Sequence, residues 1–155
     1  HSIYRKYSSL NDFAAAKGIQ HTDLPAWHLV EQLNAELCEA NHGTSDSRCL
    51  PLNLKTTALK RVNMALRWLV RNDGIVDLGV WNVLNPSQLF IPLDVHVGNT
   101  ARSLELITRK ANDKRTAIEL TEILRTRRPD DPVWYDYALF GIGVANPVSD
   151  TDQNI

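Results

Sequence analysis

Residues 60–71 read KRVNMALRWLVR and decide the fold class of this chain, because their apolar side chains recur with the period of an α-helix. The apolar residues fall on one side of that helix, together with the preceding leucine: Leu59, Val62, Ala65, Leu66, Leu69 and Val70. The opposite side lacks acidic residues and forms what we call the basic stripe: Lys60, Asn63, Met64, Arg67 and Arg71, with Arg61 and Trp68 at its border. The apolar side predicts packing against a core. The basic stripe is either a solvated face or a surface directed at a phosphate or a carboxylate.

Composition and charge are those of an ordinary soluble domain. The 155 residues are 43% hydrophobic and 23% charged, with a net charge of −1. That charge offers no general attraction to nucleic acid or to an anionic membrane, so a nucleic-acid role would depend on a local patch. The length predicts one domain, placed at residues 1–146, and the polar residues 147–155 are expected to form a flexible tail.

The sequence lacks the signals that direct a chain into a membrane or out of the cell. No apolar run approaches the length of a membrane span and no secretory signal pattern opens the chain, so we predict a cytoplasmic protein. Cys38 and Cys49 lack metal-ligand spacing and are interpreted as free thiols, with a disulfide as the alternative. No metal or cofactor is predicted. The chain begins at His1 without a methionine, which leads us to expect a missing N-terminal portion.

Further helices are predicted from capping residues and helix breakers. The first three are a short helix stopped by Gly18, a longer one from Pro25 to Asn41-His42-Gly43, and the helix of residues 60–71 capped by Thr56 or Thr57. One short helical turn follows at residues 76–81. The last three helices begin at Asp94, with Val97, Ala101, Leu104 and Thr108 on one face, at Asn112-Asp113, and at Pro132, where the helix carries Trp134, Tyr137, Ala138, Gly141 and Ile142. Strand patterns are nearly absent. The sequence therefore predicts an all-α, compact multi-helix domain.

Asp94 and Lys60 are the two residues whose positions best suit a chemical role. Asp94 follows a strongly apolar run at residues 89–93 and stands where a helix begins, so it is predicted to cap that helix beside the core. It is either a cap alone or also a positioned carboxylate, suited to acid–base work or to stabilising a cation. Lys60 lies in the first turn of its helix, where the helix dipole disfavours a cation. It is either solvated or paired with a carboxylate or an incoming anion.

Other polar and aromatic residues leave two interpretations open. His96 is either a packing or capping residue or part of a site. Arg67 and Arg71 are either surface charge or members of ion pairs, with Asp77 and Asp136 as candidate partners, or else they contact a ligand. The tryptophans Trp68, Trp81 and Trp134 are core or rim residues, or a platform for stacked bases. No phosphate-loop, dinucleotide, zinc-protease or serine-hydrolase motif occurs.

Several ordered motifs resemble an uncharacterised bacterial family of hypothetical proteins. They are Lys60-Arg61-x-Asn63-Met64-x-Leu66-Arg67-Trp68-x-Val70-Arg71, Val76-Asp77-x-Gly79-x-Trp81, Pro92-Leu93-Asp94-x-His96, and Asp131-Pro132-x-x-Tyr135-Asp136-Tyr137-Ala138-Leu139 with Ile142-Gly143. The resemblance spans residues 50–145, and members of that family carry a further N-terminal helical part. More remotely, the chain resembles the helix-hairpin-helix DNA glycosylases of the endonuclease III type. Leu93-Asp94-Val95-His96 matches the segment that supplies their catalytic aspartate, and Lys60 with Asn63 matches their lysine three residues before an asparagine.

The glycosylase resemblance implies a fold, an activity and a set of site residues. The fold would be part of the helix-hairpin-helix glycosylase fold, and the activity would be repair of damaged or modified double-stranded DNA with the target base flipped out. Lys60 would be the Schiff-base nucleophile at the deoxyribose C1′, and Asp94 would stabilise the oxocarbenium-like centre or activate the nucleophile. The binding residues would be Arg61, Asn63, Arg67, Arg71 and His96. Residues 54–59 replace the L-P-G-x-G hairpin of that family, and no cysteine follows Cys49.

Two other classes of function stay open at this point. One is a non-catalytic module that binds nucleic acid or protein on a glycosylase-like scaffold. The other is a small-molecule enzyme or a structural protein, in which the basic stripe meets an acidic ligand or the chain's own carboxylates. The sequence leaves open whether the protein is an enzyme and which oligomeric state it adopts.

Overall fold

The computed structural model describes residues 2–45, 47–48 and 50–145. Within those ranges the chain forms seven α-helices and no strand, which confirms the all-α prediction. The helices are α1 (Ser2–Tyr7), α2 (Leu10–Ala16), α3 (Pro25–Ala40), α4 (Lys60–Val70), α5 (Val95–Ser103), α6 (Lys114–Arg127) and α7 (Asp136–Ala145). Three short 3-10 helices connect them at Ile19–His21, Pro86–Gln88 and Pro132–Tyr135.

Helix boundaries follow the local signals at most positions. The hydroxyl of Ser9 accepts the amide of Asp12 and caps α2, and Gly18, at φ +67°, stops the turn that follows α2. Proline occupies the first turn of α3, as predicted for Pro25. Asp113 accepts the amide of Thr116 and caps α6 in the same manner as Ser9 caps α2. These predicted boundaries are confirmed.

The short helical turn predicted for residues 76–81 is wrong. One oxygen of Asp73 accepts the amides of Ile75, Val76 and Asp77 at 2.9, 2.9 and 3.0 Å, so the chain closes a side-chain-bonded turn instead. These three bonds lower the pKa of Asp73 to about 2. The next residues return to the end of α4, where the Leu78 amide donates to the Trp68 carbonyl at 2.6 Å.

The core is one cluster of apolar side chains, to which all seven α-helices and the extended segment at residues 89–93 contribute. Its fully buried members include Phe13, Ile19, Val30, Leu89, Ile91, Val97, Leu120 and Val133. The apolar run at residues 89–93 crosses this core and ends at Asp94, where α5 begins. The run therefore places the end of α5 that bears Asp94 at the edge of the core, next to α4.

Two helices depart from the predicted face or length. Helix α5 ends at Ser103, so Leu104 is half-exposed and Thr108 lies beyond the helix, which corrects the predicted face. The helix predicted from Pro132 begins with a 3-10 turn, and α7 starts only at Asp136. Helix α7 turns Asp136, Leu139 and Gly143 inward and leaves about half of the Tyr137 side chain exposed.

The remaining predictions concern the cysteines, the tail and a membrane. Cys38 is a free, half-buried thiol, whereas Cys49 and the tail at residues 147–155 lie outside the described residues. In the described ranges, no helix combines the length and the apolar character that crossing a membrane requires.

Candidate functional site

Lys60 and Asp94 meet as an ion pair between the first turn of α4 and the first turn of α5. The Lys60 Nζ lies 3.0 Å from Asp94 Oδ2. The lysine side chain is 46% exposed and the aspartate side chain only 9% exposed. The pair therefore has one face towards solvent, on the lysine side, and one face against the protein.

Asp94 is the N-cap of α5, as predicted. Its Oδ1 accepts the Val97 amide at 2.9 Å, while the other oxygen receives Lys60. One carboxylate thus holds the start of a helix and a lysine at the same time. The Lys60 ammonium therefore lies beside the first turn of α5.

Helix α4 begins after a strained residue. Leu59 is buried and has φ +51°, the left-handed region that a leucine seldom adopts. The conformation is held from both sides, since the Leu59 amide donates to the Thr57 hydroxyl and the Asn63 side-chain amide donates to the Ala58 carbonyl at 2.9 Å. The helix has no side-chain cap, so the prediction that Thr56 or Thr57 caps it is wrong. The αL residue directly precedes Lys60 and sets the direction in which the helix starts.

Two arginines of the basic stripe are buried in ion pairs. Arg67 is only 2% exposed, and it donates to Asp136 Oδ2 at 2.7 Å and to Asp77 Oδ2 at 3.3 Å. This confirms the ion-pair interpretation with the two predicted partners. The stripe is therefore not one exposed cationic face, because long arginine side chains can turn inward when carboxylates lie beneath them.

Arg71 extends the same buried cluster. Its Nη1 also donates to Asp77, and its Nε and Nη2 lie 3.0 and 2.9 Å from Asp131. Asp131 was not among the predicted partners. The only available signal was its place just before Pro132, at the break between α6 and α7. We call Arg67, Arg71, Asp77, Asp131 and Asp136 the buried ionic cluster.

Burial and the Arg67 guanidinium act on the pKa of Asp136 in opposite directions. Burial raises the pKa of Asp136, the Arg67 guanidinium opposes that rise, and the charge of Asp94 adds to it. The carboxylates of Asp94 and Asp136 are therefore close enough for their charges to affect each other. The Lys60–Asp94 pair and the buried ionic cluster are neighbours in one polar region between α4, α5 and α7.

Aromatic side chains cover the solvent side of this region. The Tyr137 ring stacks 3.5 Å from the Arg67 guanidinium carbon, and its hydroxyl accepts the Trp68 indole N–H at 3.4 Å. The His96 ring meets the Phe140 ring edge to face at 5.6 Å, which confirms the packing interpretation of His96. Sequence reasoning missed the Tyr137–Arg67 stack.

The predicted site residues thus occupy three environments. Lys60 and Asp94 are in contact, and Arg61 is exposed beside them on α4. Asn63 is buried beneath the first turn, Arg67 and Arg71 point into the ionic cluster, and His96 is half-buried against α7. A direct role in binding stays a prediction for the five residues Arg61, Asn63, Arg67, Arg71 and His96.

A cavity of about 270 Å³ adjoins the exposed lysine. Its walls are mostly apolar, and they are formed by Leu50, Pro51, Thr57, Leu59, Lys60, Arg61 and Val62. A larger cavity of about 500 Å³ lies around Gln20, Gln88 and Arg125 and contains none of the predicted site residues. The smaller cavity is the one that adjoins the Lys60–Asp94 pair.

The cap and the charge of Asp94 can be separated by substitution. Asp94→Ala removes both, and we expect it to lower the free energy of unfolding by about 1 kcal/mol more than Asp94→Asn does, because asparagine caps helices as well as aspartate. Urea unfolding of both variants measures the difference. An equal loss in the two variants would show that the Val97 amide bond does not stabilise α5.

The fold and the site are those of an all-helical protein in which an ion pair between an exposed lysine and a nearly buried aspartate lies beside a buried arginine–aspartate cluster. The chain belongs to the DUF2400 family, described as a protein of unknown function, whose family model matches residues 1–145. The predicted membership in an uncharacterised family is confirmed, and the match extends the predicted range of 50–145 to the first fifty residues. No curated protein and no solved structure matches the chain.

Proposed function

We propose that this protein is a DNA glycosylase- or lyase-like repair protein in which Lys60 is the nucleophile and Asp94 its acid–base partner. The observation that carries the proposal is the contact of 3.0 Å between Lys60 Nζ and Asp94 Oδ2. The sequence motifs at Lys60–Asn63 and at residues 93–96 support it through their resemblance to the helix-hairpin-helix glycosylases. The substrate class is duplex DNA with a damaged or missing base.

The chemistry at Lys60 begins with loss of a proton. An ammonium group has no lone pair, so Nζ must pass a proton to an acceptor before it can form a bond to carbon. Asp94 Oδ2 is in direct hydrogen-bond distance and is the acceptor that the geometry offers. The neutral amine then adds to C1′ of the open-chain sugar at an abasic site, and loss of water from the adduct leaves an imine between Nζ and C1′.

Access to the lysine fits this role. About half of the Lys60 side chain is exposed, whereas Asp94 is nearly buried, so an incoming sugar can reach the amine from the solvent side while the carboxylate stays behind it. The apolar cavity beside Lys60 and Thr57 offers space next to the amine. The left-handed conformation of Leu59 and the cap at Asp94 place Lys60 and Asp94 at the starts of their helices, which limits the movement of both residues.

Reductive trapping tests the proposal. With an abasic-site duplex and borohydride, the imine is reduced to a stable secondary amine, and we expect a covalent adduct that peptide mass spectrometry maps to Lys60. Lys60→Ala is expected to abolish the adduct. The matched control Lys6→Ala removes an exposed lysine of α1, outside the proposed site, and is expected to leave the adduct yield unchanged.

Two results would contradict the proposal. The first is the absence of an adduct with the wild-type protein, and the second is an undiminished adduct with Lys60→Ala. Salt-sensitive duplex binding without any adduct would instead favour the non-catalytic binding module on the same scaffold.

A further inference from the structure

We infer that a cationic surface formed by Lys55, Arg61, Lys110 and Arg115 binds the phosphate backbone of duplex DNA. We call it the junction surface, because it lies where the segment before α4 meets the start of α6. The identity of the partner rests on the proposed function, whereas the surface rests on the charge and the contacts of these residues.

A backbone contact joins the two segments. The Lys114 amide donates to the Thr56 carbonyl at 2.7 Å, and the next carbonyl, that of Thr57, accepts the Trp27 indole N–H at 2.9 Å. The segment that carries Lys55 and Arg61 is therefore attached both to α3 and to the first residue of α6. Arg115 follows directly on α6.

Arg102 holds the loop that carries Lys110. Its guanidinium donates to the carbonyls of Arg109 and Lys110 at 2.6 and 2.8 Å, and to the side-chain oxygen of Asn112 at 2.6 Å. The loop also packs closely on α5, where the Gly98 position leaves no space for a methyl group beside Asn112. Lys110 thus projects from a rigid loop, which lowers the entropy cost of holding it on a partner.

Four exposed cations lie on the two segments that the contact between Thr56 and Lys114 joins. Other cations are neutralised by carboxylates, namely Lys6 and Lys17 by Glu36, Arg67 and Arg71 by the ionic cluster, and Arg125 by Glu122, whereas Arg5 lies on α1 and Arg127 and Arg128 lie at the other end of α6. Lys55, Arg61, Lys110 and Arg115 are exposed, and no carboxylate of the described residues pairs with any of the four.

The acidic groups near the junction do not pair with its four cations in the described residues. Asp113 caps α6 and pairs with Arg109, and Glu119 lies 3.9 Å from Arg109 as well. Asp23 and Glu31 line a neighbouring cavity with Leu54 and with Lys114, whose ammonium lies over the Trp27 ring at 5.1 Å. We therefore leave Lys114 out of the junction surface.

Duplex DNA is the partner that this arrangement favours. Phosphate binding needs cations whose charge is not cancelled by neighbouring carboxylates, and it gains from groups held in place before binding. Arg61 follows Lys60 on α4 and both residues line one cavity, so the junction surface adjoins the proposed reactive pair. A DNA strand bound there would lie next to Lys60, a position that the proposed reaction requires of DNA and not of an acidic protein.

Salt-dependent binding tests the inference. The probe is a fluorescein-labelled duplex with a tetrahydrofuran abasic analogue, and anisotropy is measured between about 50 and 200 mM salt. Lys110→Gln with Arg115→Gln is expected to weaken binding about tenfold at the lowest salt and to reduce the logarithmic salt slope by about two. The matched control, Arg5→Gln with Arg127→Gln, removes the same charge from exposed positions elsewhere and is expected to change affinity less than about twofold.

The outcomes separate this inference from the proposed function. Binding that depends on Lys110 and Arg115, without a borohydride adduct at Lys60, supports the junction surface and contradicts the lyase. An adduct at Lys60 with equal binding by both double variants supports the lyase and overturns the junction surface. Absence of duplex binding by the wild-type protein, or preference for an acidic polypeptide such as polyglutamate, also overturns it.

Discussion

Replacing Arg67 by methionine is expected to lower the free energy of unfolding by about 3–5 kcal/mol, because the change leaves a buried carboxylate without its cation. Asp136 would lose its contact of 2.7 Å, whereas Asp77 would keep Arg71. Methionine has a similar length, so the loss reports charge more than volume. Urea denaturation measures it.

Two further variants control this result. Arg61→Met changes an exposed arginine of the same helix and is expected to shift the free energy by less than about 0.5 kcal/mol. The double variant Arg67→Met with Asp136→Asn removes the uncompensated charge and is expected to recover a large part of the loss. A loss in Arg67→Met no larger than in Arg61→Met would contradict the role of the ionic cluster.

The pH dependence checks the electrostatic origin of the loss. Burial raises the pKa of Asp136 even beside Arg67, and we expect a larger rise once the guanidinium is gone. A carboxyl with a raised pKa in the folded state opposes folding only where the unfolded chain would ionise it, above its ordinary value of about 4. The deficit of Arg67→Met relative to wild type is therefore expected to shrink as the pH falls from about 7 towards 4.

Gly143→Ala is expected to destabilise the protein by about 1–3 kcal/mol, because α5 and α7 pack too closely for a side chain there. A Cβ on Gly143 would lie 2.7 Å from the His96 carbonyl oxygen and 2.7 Å from the Thr100 hydroxyl. The carbonyl is backbone and cannot rotate away. Thermal or urea unfolding measures the loss, and we expect the Asp94 end of α5 to move with it.

Gly141 provides a matched control on the same helix. A Cβ at Gly141 meets no atom within 4 Å, so Gly141→Ala is expected to stabilise the protein by about 0.5–1 kcal/mol through helix propensity alone. Opposite signs for the two alanine variants would support close packing of α5 on α7. The same sign for both would contradict it.

Local signals predicted the helix ends that depend on neighbours in the sequence. Asp94 was identified as a cap and Asn112-Asp113 as the start of a helix, because a capping side chain bonds an amide only three residues ahead, within one turn of the chain. The turn at Asp73 also depends on near neighbours, yet its apolar residues suggested a helix. There the side chain satisfied three backbone amides, which the hydrophobic pattern does not register.

The candidate site was predicted in part. The motifs indicated Lys60 and Asp94, but only the resemblance suggested that residues 34 positions apart belong to one site. Periodicity placed Arg67 and Arg71 on the polar side of α4 without showing what lies opposite them. Asp131 was not predicted, because its contact with Arg71 depends on how the segment between α6 and α7 packs against α4.

The sequence by itself determined the all-α class, most helix boundaries and the capping role of Asp94, because each depends on helix periodicity or on groups within one turn. It offered Asp77 and Asp136 only as candidate partners of Arg67, because it did not show that this arginine is buried. Only the tertiary structure decided that part of the basic stripe is interior and that residues 56 and 57 contact α6 and α3. It also decided that Lys60 reaches Asp94 across two helix ends. The physical reason is that such contacts depend on the packing of whole helices on the common core, which no local pattern encodes.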